Sequence, residues 1–142
     1  MIKLINGDCL TELKNLEPES VHCCVTSPPY WGLRDYGVDG QLGLEKTPEE
    51  YVANMVSVFR EVRRVLRKDG TLWLNLADSY AGGGRGFGYG GKQDTNKGCE
   101  DMPRSVIPTG LKAKDLCGIP WRVAFALQQP YYSGKIKNEL DR

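Results

Sequence analysis

Residues 21–31 read Val-His-Cys-Cys-Val-Thr-Ser-Pro-Pro-Tyr-Trp, and the reading of this stretch decides the fold class. A β-branched, cysteine-containing apolar run that meets two prolines is a buried strand forced to stop, because proline lacks the ladder N–H and restricts the residue before it. The strand is expected to end at Ser27. Beyond it, Pro28-Pro29 forms a rigid turn that presents the Ser27 hydroxyl, backbone carbonyls, and the rings of Tyr30 and Trp31. At the carboxyl edge of an α/β sheet, that turn lies where such sheets bind ligands.

These groups suit one kind of chemistry. An amine on an aromatic ring is a poor nucleophile because its lone pair is delocalised. Fixed acceptors for the amine hydrogens localise the pair, and an aromatic side chain holds the ring. Ser27 Oγ and the Pro28 carbonyl are the candidate acceptors, and Tyr30 is the candidate platform. The residues alone leave a plainer alternative open, a proline turn with a packed Tyr and Trp, since such turn residues are common.

The wider stretch Thr26 to Gly37, TSPPYWGLRDYG, is similar to the catalytic motif of the amino-methyltransferases of DNA, whose general form is Asp/Asn/Ser-Pro-Pro-Tyr/Phe. The serine form followed by Tyr-Trp most resembles the cytosine-N4 group of bacterial and phage modification enzymes. The likeness runs over about residues 2 to 128 and includes INGDCL, REVRRVLRKDG, GTLWLNLADSY and CGIPWRVAFALQ. It implies an α/β class, a partial Rossmann-like methyltransferase fold whose small, mainly parallel sheet is flanked by helices. The implied function is S-adenosylmethionine-dependent, site-specific methylation of DNA at the N4 amine of cytosine, in a restriction-modification or phage system. Adenine-N6 methylation is the alternative product, and a catalytically silent remnant acting only as a folded binding module is the alternative class.

By the same resemblance Ser27, Pro28, Pro29 and Tyr30 are catalytic, and Asp8 and Ser27 lie at the cofactor, with Asp8 near its adenine. The target base is flipped out, because a paired amine is unreachable inside the stack. Asp8 also reads as an ordinary helix cap for Cys9 onward.

Composition bounds the rest. A chain of 142 residues is one domain, long enough to bury most of its surface. With 19 Lys plus Arg against 18 Asp plus Glu, a nucleic-acid partner has no global electrostatic signature, so its signals are local. No run reaches transmembrane length and Met1-Ile2-Lys3-Leu4 opens straight into a strand pattern, so a cytoplasmic protein without a membrane partner is expected. The five cysteines contain no Cys-x-x-Cys pair and are expected to be reduced and mostly buried. His22, Cys23 and Cys24 make a poor zinc set, since neighbouring strand residues point to opposite faces. No Pro-Cys pair is present, and Cys23 and Cys24 precede the prolines within the strand, so covalent attack on a pyrimidine ring is not indicated.

In chain order, Ile2 to Ile5 reads as a strand and Asn6-Gly7-Asp8 as its exit turn. A short helix from Leu10 to about Leu16 follows. Gly32 to Leu44 is a glycine-rich loop over the catalytic turn, a candidate lid or DNA contact, in which Arg34 meets a phosphate or pairs with Asp35. Trp31 beside it is a further candidate DNA contact. Thr47-Pro48-Glu49-Glu50 is a helix start with a capping box, and apolar residues from Val52 to Leu66 carry that helix to about Lys68. Its other face gathers Arg60, Arg63, Arg64, Arg67 and Lys68, either complementing the helix dipole or meeting phosphates. Asp69-Gly70 stops it, and Thr71 to Leu76 alternates as another strand. The crossovers are long enough for parallel pairing.

A flexible, glycine-rich insertion is expected at about residues 81–110. Its Arg85 and Lys92 are candidate DNA contacts, although an ordinary surface loop explains the composition equally well. Gly86-x-Gly88-x-x-Gly91 matches a dinucleotide fingerprint by letters only, with no strand directly before it and no helix after it. Leu116 to Gln128 returns to helix, and a divergent tail occupies about residues 129–142. In the chain order this family resembles, the recognition region and the Phe-x-Gly-x-Gly cofactor loop follow the catalytic motif, and this sequence carries neither. Residues 1–142 therefore read as a single catalytic-half domain. Its partners are DNA and a second chain that supplies the missing parts. Alone it is expected neither to bind S-adenosylmethionine tightly nor to methylate DNA, and to self-associate through an unpaired sheet edge.

Overall fold

A computed structural model describes residues 2–82, 107–108 and 110–129. Within them the chain runs α1 (Cys9–Lys14), β1 (Val21–Thr26), α2 (Pro48–Val65), β2 (Leu66–Leu74) and α3 (Ile119–Gln128). β1 and β2 pair in parallel, with α2 as the crossover between them. A small parallel sheet flanked by helices is thus the architecture, as the α/β reading of the sequence required.

α2 organises the packing. Thr47 caps it by accepting from the Glu50 N–H at 3.2 Å, and Pro48 occupies the first turn. The Glu50 carboxylate reaches back to the Lys46 N–H at 3.1 Å, one residue before the cap itself. Helical spacing then places Tyr51, Val52, Met55, Val56, Phe59 and Val62 on one buried face. Ile119, Val123 and Ala126 of α3 join the same cluster, and Cys24 of β1 with Leu72 and Leu74 of β2 pack against it. Each fully buried side chain of this size contributes about 1.5–3 kcal/mol relative to exposure, so the seam along α2 carries most of the cohesion.

Several expectations need correction. Ile2 to Ile5 forms no strand, and Ile2 and Leu4 are 90% and 92% exposed. Strand propensity becomes a strand only where a neighbour supplies the ladder, and among the described residues this segment has none. The helix expected to reach Lys68 ends at Val65, because Leu66 is already extended and pairs with Val21. The Asp69-Gly70 stop instead closes an excursion within β2, between the Val21/Leu66 and Cys23/Thr71 pairs. Arg67 Nε donates to Asp69 there at 3.2 Å, and a Cβ on Gly70 would lie 3.0 Å from the Arg67 carbonyl oxygen. Of the four described cysteines only Cys117 is buried, and Cys9 and Cys23 are exposed.

The basic cluster on α2 also divides. Arg64 donates to the Leu13 and Leu16 carbonyls at 2.7 and 3.0 Å and pairs with Glu61 at 2.8 Å, so it ties α1 to α2. Arg60 and Arg63 remain exposed.

Candidate active site

β1 ends at Thr26, whose carbonyl accepts the last ladder bond from the Asn75 N–H at 2.9 Å. The next four residues make the turn, with Ser27 exposed and Pro28, Pro29 and Tyr30 half-buried. Ser27 Oγ donates to Tyr30 Oη at 3.3 Å, which brings the proposed acceptor and the proposed platform together.

The carbonyls of the turn are held one by one. Pro29 accepts from Tyr51 Oη at 2.8 Å, Tyr30 from the Leu33 N–H at 3.3 Å, and Trp31 from Ser79 Oγ at 2.7 Å. Among the described residues, no donor reaches the Pro28 carbonyl. A rigid turn with one acceptor left open beside a hydroxyl can receive the two hydrogens of a planar amine. Tyr51 is fully buried, and that burial, with smaller contributions from Glu45 and Tyr30, pushes its phenol well above the ordinary range. It therefore stays a donor, and the Pro29 carbonyl stays occupied.

The loop after the turn closes on itself. Gly32 N–H donates to the Gly43 carbonyl at 2.7 Å, and Gly43, at φ +98°, sits so close that a Cβ would lie 2.9 Å from the Tyr30 carbonyl oxygen. Trp31 is 8% exposed, with its indole N–H on the Glu45 carbonyl at 2.9 Å. Expected as a DNA contact, it lies in the core cluster and is tied through that bond to the loop residue Glu45. Arg34 is exposed, and the Asp35 carboxylate is taken by the Gly37 N–H at 2.7 Å. Leu33, Tyr36 and Val38 are exposed on the same loop.

Residues 21–139 match the family model described as DNA methylase, a span that holds β1, the turn, α2, β2 and α3. The chain belongs to the DNA methylase family. It is similar to the type II methyltransferase M.SmaI of Serratia marcescens, 53% identical over 126 residues, which is 89% of this chain and 42% of the relative. The type II methyltransferase M.XycI of Xanthomonas campestris pv. cyanopsidis is 53% identical over 125 residues, 88% of this chain and 41% of the relative. M.Cfr9I of Citrobacter freundii, also a type II methyltransferase, is 50% identical over 126 residues, 89% and 41% of the two chains. The chain spans about two fifths of the length of these relatives. No solved structure matches it.

Other side chains of this methylase chain fall as follows. Asp8 caps α1, its Oδ1 accepting from the Thr11 N–H at 3.1 Å, so the plainer reading of that residue describes its contact. Its Oδ2 has no partner among the described residues. Arg85 and Lys92 lie outside the described residues, as do the fingerprint-like glycines. Among the described residues no group of three His, Cys, Asp or Glu side chains could hold a metal ion. Burial pushes the Cys24 thiol up, with Cys23 adding to the effect, and a protonated thiol is a poor nucleophile.

Sequence reasoning missed Tyr51, Ser79 and Asp78. The Asp78 carboxylate accepts from the Gly118 and Ile119 N–H groups at 3.0 and 2.9 Å, and thereby fixes the start of α3 to the exit of β2. For Tyr51 and Asp78 a signal existed. A tyrosine on the apolar face of α2 needs a partner for its hydroxyl, and a helix opening Gly-Ile-Pro has no capping side chain of its own.

Proposed function

We propose that this chain is the catalytic half of an S-adenosylmethionine-dependent, site-specific DNA methyltransferase that modifies the N4 amine of cytosine. The observation that carries the reading is the open Pro28 carbonyl beside Ser27 Oγ, in a turn whose next three carbonyls are engaged. Ser27 and Pro28 accept the amine hydrogens and so localise the lone pair, Pro29 gives the turn its rigidity, and Tyr30 stacks the flipped base. Trp31, Tyr51 and Ser79 hold that geometry. Every group in the turn is uncharged, which suits a neutral amine.

S-adenosylmethionine, when bound, supplies the electrophilic methyl group. The residues that fit it are Asp8, with one carboxylate oxygen unengaged for an adenine amine or a ribose hydroxyl, and Ser27 at the turn. Arg34 on the exposed loop is assigned to DNA phosphate, together with Arg85 and Lys92. The type II relatives support a restriction-modification setting, and a bacterial or phage enzyme acting on cellular DNA works in the cytoplasm. A second polypeptide segment supplies the recognition region and the remaining cofactor contacts. Alone, the chain binds the cofactor weakly and methylates nothing.

Transfer of labelled methyl groups to duplex DNA tests this, using the chain complemented by the missing portion. Mass analysis of the nucleosides should give N4-methylcytosine. N6-methyladenine alone overturns the choice of base, and micromolar cofactor binding by the lone chain overturns the claim that its site is incomplete.

A further inference from the structure

A groove of about 830 Å³ opens where α2 ends and β2 begins. Arg60, Arg63, Arg64, Arg67 and Lys68 line it with Glu19 as the one acid, and its other lining residues are uncharged. Those five cations stand in a chain whose whole excess of positive charge is one. The helix dipole explains few of them. It favours cations in the last turn, which holds Arg63 and Arg64, whereas Arg60 precedes that turn and Arg67 and Lys68 lie beyond the end of α2 at Val65. Internal ties engage Arg64, through Glu61 and the Leu13 and Leu16 carbonyls, and Arg67, through Asp69 at 3.2 Å. Arg60, Arg63 and Lys68 are exposed and have no carboxylate partner among the described residues.

The wall opposite α2 is fixed in place. Glu19 holds a left-handed backbone at φ +54° while its N–H donates to the Arg64 carbonyl at 3.1 Å, which pins that wall to the end of the helix. The groove is also remote from the catalytic turn. Val21 and Leu66 pair at the start of the two parallel strands, and Ser27 follows their other end, which at 3.3 Å per residue is roughly 17 Å away.

We propose that this groove binds the phosphate backbone of nucleic acid, as a second, sequence-independent contact on the edge of the sheet opposite the catalytic turn. Four of its five cations are arginines, whose planar guanidinium matches paired phosphate oxygens. No aromatic side chain lines it, so it has no platform on which to stack a base and grips the backbone instead. It also lacks the large exposed apolar side chains that a lipid surface would bury. A segment of duplex held there keeps the protein on DNA while the catalytic turn is free of its target.

Fluorescence anisotropy of a labelled duplex made only of A·T pairs, titrated with the chain in the absence of cofactor, tests this. Such a duplex offers no cytosine and the assay reads retention alone, so its outcome is separate from that of the methyl-transfer assay. Binding should weaken with added salt. The double variant Arg60→Gln/Arg63→Gln should bind roughly tenfold more weakly or worse, with a salt slope smaller by about 2. Arg60→Lys/Arg63→Lys keeps both charges and should keep most of the binding, and melting temperatures close to the parent's show that both variants fold.

Absence of salt-dependent binding to the duplex overturns the proposal. So does undiminished binding by the glutamine variant, whether or not Arg34→Gln on the loop beside the catalytic turn loses it. A loss in the lysine variant as large as in the glutamine one would also overturn it, since charge would then not be what holds the duplex. Tighter association with phosphatidylserine vesicles than with the duplex overturns nucleic acid as the ligand.

Discussion

Tyr51 shows how a single buried donor selects which oxygen of the turn is left for a ligand. Its hydroxyl holds the Pro29 carbonyl at 2.8 Å, and Tyr51→Phe should cost about 1 kcal/mol at neutral pH by leaving that carbonyl without its donor. The phenol's folded pKa lies above its ordinary value of 10.0, so the protonated donor contributes fully below that value and its contribution fades as pH climbs through the raised one. Urea midpoints should therefore converge between wild type and Tyr51→Phe at strongly alkaline pH and stay apart at neutral pH. A gap that is constant with pH would detach the bond from the titration. Gly43 makes a second case: Gly40→Ala, at φ +75° with open space around it, should cost about 1 kcal/mol, as a left-handed residue does. Gly43→Ala should cost clearly more in the same denaturation assay, because its Cβ also meets the Tyr30 carbonyl oxygen. Ser27 and the double proline were legible in the sequence because their chemistry is local, whereas Tyr51 signals only that its hydroxyl needs a partner, and that partner lies 22 positions away.

At the scale of elements, α2 was legible from Thr47-Pro48 and its apolar stripe, since capping and amphipathicity are written into neighbouring residues. Its end was not, because the pairing of Leu66 with Val21 overrides the continuing helical pattern. In the sequence Arg64 reads as one member of a charged face, yet it reaches carbonyls 48 and 51 positions away, a tie that periodicity cannot show. Arg64→Met should leave the Leu13 and Leu16 carbonyls to solvent, and hydrogen exchange should report faster opening of α1 with little change in α2. Asp78 does the same service for α3. Its replacement by Ala removes the acceptor for two amides and should cost about 1–2 kcal/mol, with exchange at the start of α3 accelerating first. Equal acceleration across α2 would show that the residue supports the whole core instead.

For the whole molecule, the parallel pair, its flanking helices and the turn at the strand ends are the architecture of the described residues, which the proposed function reads as the catalytic half of a methyltransferase. The segment from Ile2 to Ile5 is strand-like in sequence and exposed in the structure: without a ladder partner among the described residues it keeps the propensity and lacks the pairing. The turn carries the proposed chemistry. In the complemented protein, the rate of methyl transfer from S-adenosylmethionine to duplex DNA should fall roughly 100-fold or more in Ser27→Ala, by analogy with removing one oriented polar group from a transition-state site. Tyr30→Ala should fall strongly as well, with thermal melting of both variants close to that of the parent. Full rates in both variants, or no methylated nucleoside from the complemented parent protein, would contradict it.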